Sequence, residues 1–406
     1  MPNTLLTIDM IAREALRLAH EKATFIGTIN RQFDKSWSDE GPTGQTLRIR
    51  VPSEYTRRTG SAVMNVQDSV QVSTSLVVAT QDGVDMRFNS QELAQSLDDF
   101  SRLHLAPAMA VLVSGIESDV LVGCTQRTFN FATNSTTNTP SLTAISSLTT
   151  AGHARSRMNQ NLAPMGDRFI QVNSAQMAAM VTGVAGYFNP SNAISEQYRE
   201  GIVARTAMAD YYENERIFGL TTISSVTLSS AKLNGYVSTL GQTSLNITSI
   251  TQTVPIGSVF TMTDVTDAHP ETKQTYLNLK QFTVLTTTNA STLTFSPAIY
   301  RTGPRQNVTG VGSSTSTTAV NFLGTTSATF PMGLMYHRDA FTFATAELPL
   351  MADAASCVRK TYDGLSLRVW RASDIRNDEM LTRIDILYGY AAIRPQWACR
   401  LVGTGS

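Results

Sequence analysis

Between Leu220 and Met335 the chain almost stops using charge. Only Lys232, Asp264, Asp267, Glu271, Lys273, Lys280, Arg301 and Arg305 carry it, and roughly a third of the stretch is Ser or Thr, well above ordinary usage. On both sides Asp, Glu and Arg return at normal density and helical patterns reappear. A composition shift with unlike flanks predicts one all-β domain inserted into another domain. Short alternating runs inside it, Val226–Leu228, Val259–Met262, Phe282–Leu285 and Leu293–Phe295, are punctuated by Gly, Pro and Asn. That rhythm predicts a small barrel or sandwich.

At 406 residues the chain has room for two or three domains. Its 32 Lys plus Arg balance 32 Asp plus Glu, so no long-range field draws it to nucleic acid or anionic lipid. The same balance removes the repulsion that keeps proteins apart. Three widely spaced cysteines, Cys124, Cys357 and Cys399, read as reduced thiols rather than a disulfide framework. No uninterrupted apolar run reaches the eighteen or so residues of a membrane span, and Met1–Met10 lacks a signal-peptide pattern.

Thr7 is a candidate N-cap, and Ile8, Ile11, Ala15 and Leu18 follow at helical spacing. After Gly41-Pro42-Thr43-Gly44, Leu47, Ile49 and Val51 alternate with polar residues. A polar tip, Ser53 to Gly60, carries Glu54, Arg57 and Arg58, and Val70 to Val78 returns. A hairpin of this length has no core of its own and must lie on something, its own body or a neighbour. Val84 to Phe88 predicts a short strand, and Asn89 with Glu92 a capping box. A long helix with apolar positions from Leu93 to Val120 is expected to bend near Leu103, because Pro107 sits inside it. Ala132 to Thr150 reads as a polar loop, Arg168 to Val172 as a buried strand, and Asn173 with Gln176 as the cap of a helix through Val181. Glu196 to Met208 is predicted helical, and alternation returns at Leu365–Val369 and Ile384–Tyr388.

Catalytic constellations are not apparent. No two of His20, His104, His153, His269 and His337 have metal-ligand spacing, and His337 with Asp339 lacks a nucleophile context. Asp264, Asp267, His269 and Glu271 crowd one segment without the EF-hand pattern, so a solvated or partner-facing acidic loop is the plainer reading. Cys357 beside Arg359 and Lys360 has no base near in sequence. Phosphate-binding glycine loops are missing, and the Gly/Ser/Thr run Val311–Thr318 reads as a flexible loop. No metal and no cofactor is predicted.

The order of segments carries a resemblance. Asn3-Thr4-Leu5-Leu6-Thr7, Ile11 to Leu16, Gln81 to Asp85, Leu105 to Ala110, Ser191 to Gly201, Tyr336 to Phe341, and Leu387-Tyr388-Gly389 through Arg394-Pro395 together resemble the major coat proteins of tailed bacteriophages, in the subgroup of the Salmonella podovirus coat protein. The resemblance implies an α+β fold of the Hong-Kong-ninety-seven capsid type with an inserted all-β barrel. It implies an N-arm over 1–40, an extended E-loop hairpin over 41–80 and a peripheral domain with spine helix over 81–130. The axial domain would begin at 131–219, the inserted barrel occupy 220–331, and 332–406 return to the axial and peripheral domains.

The expected function is then a shell subunit, not an enzyme: a major capsid protein assembling with itself into hexamers and pentamers of an icosahedral shell. The implied partners are a scaffolding protein, a portal and non-specifically contacted double-stranded DNA, with no membrane. The implied location is the virion capsid, assembled in the host bacterial cytoplasm through a procapsid that later expands. Candidate inter-subunit contacts are Arg57 and Arg58 at the hairpin tip, paired with acids such as Asp98 or Asp99, and Asp264 and Asp267 in the insert. The alternatives are another phage structural subunit, such as a tail-tube or decoration protein, and a carbohydrate-active enzyme with a β accessory domain. The enzyme would need a carboxylate pair or metal site in a cleft, and no convincing one is found.

Overall fold

The computed structural model describes residues 8–33, 46–61, 64, 66–68, 71–89, 101–133, 148–184, 209–222, 231–233, 240–248, 253–287, 292–310, 318–323, 329–351, 356–362, 364–374 and 379–402. The chain divides into two compact units. One comprises Met1–Ile49, Ser73–Val120 and Phe341–Ile393; the other comprises Arg50–Val72, Leu121–Ala340 and Arg394–Ser406.

In the first unit, strand Glu379–Ala392 is the centre of a five-stranded antiparallel sheet. It pairs with Phe341–Ala346, Leu365–Asp374 and Thr80–Asn89, and Ser356–Tyr362 extends the sheet beyond Leu365–Asp374. The alternation seen in sequence puts Leu365, Leu367, Val369, Ile384 and Ile386 on one apolar buried face, and the alternate Ser366, Arg368 and Asp385 are buried as well. Helix Ile8–Lys22 lays Ile11, Ala12, Ala15, Leu16 and Ala19 into this core, and Met109, Leu112, Val113 and Ile116 of helix Ala106–Arg127 add theirs. The leading helix thus covers its own sheet, and Asp9 is ion-paired 2.7 Å from Lys360 of the edge strand. Thr7, its candidate cap, lies outside the described residues.

Where a bend is expected near Leu103, the chain makes one π-helical turn, Ser101–Leu105, before Ala106–Arg127 begins. Pro107 is the second residue of that α-helix and has no N–H to donate to the turn before it. By length and composition alone, Leu103–Arg127 could cross a membrane, and 44% of its most apolar stretch is buried in this structure. Counting uninterrupted apolar runs missed it because Glu117 and Asp119 break the run. Both carboxylates have protein partners: Glu117 accepts from Phe25, and Asp119 from Tyr388 and Tyr390. A core helix passes the same test.

The second unit contains a mixed sheet ordered Phe131–Ala132, Ala398–Val402, Thr329–His337, Arg168–Val172 and Asp210–Glu213. Its outer pairings, Arg400 with Phe131 and Phe169 with Asp210, are parallel. Helices Thr149–Gln160 and Ser174–Val184 supply Ala154, Met158, Met177 and Met180 to a core with Ile170, Val172, Met335, Cys399 and Leu401. The predicted capping box forms: Gln176 N–H donates to Asn173 Oδ1 at 2.8 Å and Asn173 N–H to Gln176 Oε1 at 3.5 Å. Helix Thr149–Gln160 begins where the sequence read as a polar loop, because its solvent face is Ser, Arg and Asn and only Thr150, Ala151, Ala154 and Met158 are buried. The predicted helix Glu196–Met208 and strand Val226–Leu228 lie outside the described residues.

The low-charge stretch forms its own seven-stranded sheet. Strands Val259–Ala268, Thr275–Thr287, Thr292–Ile299, Gln242–Thr248 and Lys232–Leu233 follow one another antiparallel. Leu233 N–H then donates to Thr318 O and Val320 N–H to Ala231 O, both at 3.0 Å. Because Val320–Phe322 pairs with Val259–Ala268, the strand series returns to its first member. Phe260, Phe282, Phe295 and Phe322 fill the interior, Phe282 and Phe295 edge-on at 5.3 Å. The stretch is bracketed by an antiparallel stem, Gly219–Thr221 against Thr329–Pro331.

Candidate interaction surface

The hairpin Thr46–Val51 with Val72–Val77 meets two different environments along its length. At its base, Leu76 and Val78 are buried with Ala344 and Ala391, and Leu47 and Ile49 pack against them. Gly389 makes this approach feasible, since a Cβ there would collide with the Val77 carbonyl. Toward the tip the chain loses such support. The Gln67 side-chain amide bridges the ribbon instead, accepting from Thr56 N–H at 2.8 Å and donating to Thr56 O at 2.7 Å. Gly60 turns the backbone with φ 86°.

The tip exposes both charge and apolar surface. Arg57 and Arg58 are exposed, and so are Tyr55, Met64 (78%) and Val66 (76%). Sequence reading singled out the arginines but passed over Met64 and Val66, whose alternation was the available signal. Glu54 is close enough to Lys273, in the turn of the low-charge sheet, to offset part of the burial that lowers that amine's pKa.

The two acids assigned to the insert part company. Asp264 is exposed, in the left-handed backbone region at φ 69°. Asp267 is buried and accepts from Lys280 Nζ at 2.9 Å and from Ala268 N–H at 3.0 Å. The crowd of acids expected in one loop is therefore a strand end plus a turn: Val259–Ala268 is β, and His269 Nδ1 accepts the N–H groups of Glu271 and Thr272. The strand register breaks between Thr261 and Thr266, where Asp264 turns outward, while Asp267 reaches Lys280 on the neighbouring strand. Asp98 and Asp99 lie outside the described residues.

A groove of about 460 Å³ opens on the first unit's sheet, lined by Asp85, Arg87, Trp370, Ala372, Leu381 and Arg383. Its floor is apolar and its rim charged: Arg87 pairs with Glu379 at 3.1 Å, and Arg383 donates to Asp385 at 2.9 Å. That hydrogen bond raises the Arg383 pKa. Asp385 is buried and also accepts from Arg368 at 2.7 Å.

Residues considered for chemistry are occupied structurally. His337 is 6% exposed, its Nδ1 faces the Asp339 N–H at 3.2 Å, and its ring meets Trp397 edge-on. Burial lowers its pKa, and Asp339 and Asp167 partly oppose that. Cys357 lies on the edge strand Ser356–Tyr362, partly exposed. Among the described residues no cluster of three His, Cys, Asp or Glu has the geometry to hold a metal.

Comparison with known proteins adds a family. A sequence model described as "P22 coat protein - gene protein 5" matches residues 153–403, more than half of the chain. No curated protein matches it significantly. Similar solved structures include one from Mycobacterium phage Che8, at 9% identity over 93% of this chain and 90% of that one, TM-score 0.47. The mature capsid of bacteriophage PhiM1 shows 10% identity over 90% and 84%, TM-score 0.42. A virus-like particle from Pyrococcus furiosus shows 8% identity over 97% and 98%, TM-score 0.39. Likenesses at this level carry no argument, so the assignment rests on the sequence match.

Proposed function

This chain belongs to the P22 coat protein family, and from that premise we propose how it builds a shell. It is a major capsid protein, forming the phage shell by association with its own copies; the family is structural rather than enzymatic. The finer reading is an icosahedral shell around double-stranded DNA, assembled in the host cytoplasm as a procapsid with a scaffolding protein and portal, then expanded.

One observation carries the mechanism: the hairpin tip presents Tyr55, Met64 and Val66 to solvent beside Arg57 and Arg58. Apolar surface on a ribbon without its own core is stabilised when a second copy covers it. A sheet face grooved like that of Trp370 and Leu381 has matching chemistry. A stable interface buries about 1,600 Å². A lattice subunit makes several, so each contact can be weak, allow misplaced copies to leave, and still hold the shell by multivalency. Expansion then proceeds by rigid-body rotation of subunits.

The low-charge stretch is read as the inserted β-barrel of a Hong-Kong-ninety-seven-type fold. Its strand series returning on itself, its separate aromatic core and its two-stranded stem support that reading. Arg57 and Arg58 are proposed to meet acids of an adjacent copy, with Asp98 and Asp99 as candidates; in the insert Asp264 is a separate candidate contact, and Asp267 a weaker one, being paired to Lys280 inside its own chain.

The test is expression of the full chain with and without a scaffolding protein, followed by electron microscopy. Closed shells of uniform size are expected. Tubes, or dispersed monomers under every condition, would discard the reading.

A further inference from the structure

One strand of the low-charge sheet, Thr275–Thr287, carries a line of polar contacts to the rest of the second unit. The Tyr276 hydroxyl donates to Gln160 O at 3.4 Å and Asn278 Nδ2 to Gln160 Oε1 at 3.3 Å. The Gln281 amide accepts from Phe131 N–H at 2.9 Å and donates to Phe131 O at 3.0 Å. Thr283 Oγ1 donates to Gln126 O at 2.9 Å.

The last of these contacts closes on Arg400, which is fully buried. Arg400 Nη2 donates to Gln126 O at 2.9 Å and to Thr283 Oγ1 at 2.8 Å, completing a triangle, while Nη1 donates to Gly257 O. Among the described residues the guanidinium contacts no carboxylate. Its compensation is the helix end: Gln126 is next to last in Ala106–Arg127, so its carbonyl has no partner within the helix and sits at the negative pole of the helix dipole. Gly257 fits the same joint independently. Its φ is +84°, and a Cβ there would stand 2.9 Å from Gln126 Cγ and 3.0 Å from the Phe218 ring.

We infer that Arg400 is a clasp that locks the inserted sheet to the end of the long helix, so that the two move as one rigid piece. The planar fork of a guanidinium reaches three acceptors on three chain segments at once, which a single ammonium does not reproduce. Sliding the sheet against the helix end would strand a buried cation, the costliest kind of broken contact. The joint is therefore fixed rather than hinged, and any reorganisation of the subunit leaves it whole. This inference stands on geometry alone and survives failure of the shell reading.

Amide hydrogen exchange on the full chain tests it. In Arg400→Met and Arg400→Lys, the amides of Phe131 and of position 400 are expected to exchange at least tenfold faster. The amides of the strand pair Thr292–Ile299 and Gln242–Thr248, away from the joint, should keep wild-type rates. Unchanged rates at Phe131 and position 400 would overturn the clasp, as would equal acceleration throughout the sheet. Thr283→Val removes one corner of the triangle, and one acceptor of the guanidinium, while keeping Arg400 in place, so it reads the same amides if the Arg400 variants fail to fold. Wild-type rates there would overturn the clasp equally.

Discussion

Glu117 Oε1 accepts the main-chain N–H of Phe25 at 2.6 Å, from a side chain with no solvent exposure. The long helix thereby holds the chain where it leaves the leading helix, and the Thr24 hydroxyl adds a second donor at 3.3 Å. A carboxylate taking the N–H of the first residue of the short helix Phe25–Thr28 makes a charge-assisted bond, stronger than a neutral one. Glu117→Ala should cost about 2–3 kcal/mol, since the Phe25 N–H is left buried without its acceptor. Thermal unfolding of the monomer measures it; a loss under about 0.5 kcal/mol would show that the contact contributes only packing.

Arg57→Glu with Arg58→Glu should lower shell yield while leaving monomer circular dichroism unchanged, because both side chains are exposed. Exposed ion pairs contribute about 0–1 kcal/mol each, so the effect accumulates only through many copies. Particle counts equal to wild type would remove the arginines from the assembly contact.

Met64→Ser with Val66→Ser tests the apolar half of the same tip. Both side chains are more than three-quarters exposed, so monomer stability should change by about 0.5 kcal/mol or less. Assembly should require a higher protein concentration, read by light scattering. An unchanged threshold would mean that no copy covers this surface.

Lys280 and Asp267 are 5% and 8% exposed at their side chains and 2.9 Å apart. Breaking one partner, as in Asp267→Asn, should destabilise by about 3–5 kcal/mol, because a buried ammonium loses its counter-charge. Lys280→Met with Asp267→Leu should recover most of it. Chemical denaturation of the three proteins decides; a double variant as weak as the single one would contradict the ion-pair account.

His337 gives a pH dependence with a definite sign. Burial is the main cause lowering its folded pKa below the usual 6.5, so the folded state favours the neutral ring. Stability from this site is complete above about 6.5 and is lost as pH falls from there through the lowered folded value. His337→Phe should flatten that part of the stability–pH curve. A curve with the same slope between pH 7 and 5 would assign the dependence to other groups.

Strand periodicity was legible because alternation is local. Leu365, Leu367, Val369, Ile384 and Ile386 announce their buried face within a few residues, and Asn173 with Gln176 announces a helix start within four. Helix Thr149–Gln160 was not legible, because a Ser/Thr/Arg surface with small Ala at its core positions leaves little periodic contrast. The division of Asp264 from Asp267 was not legible, because it follows from a break in strand register at Asp264 that spacing alone does not announce. The partnership of Asp267 with Lys280 was not, because it depends on the register of two strands.

The amino-acid order by itself settled the kind of segments this protein has: a leading amphipathic helix, a coreless hairpin, a long apolar helix and a charge-poor β stretch. Each follows from forces acting within one or two turns or strands. Only the three-dimensional structure decided what those segments lie on. It buried the leading helix against its own sheet, left Met64 and Val66 in solvent, and brought Arg400 to Gln126 and Thr283. Those outcomes join residues more than a hundred positions apart, and no local pattern encodes a distance that the packing of whole layers sets.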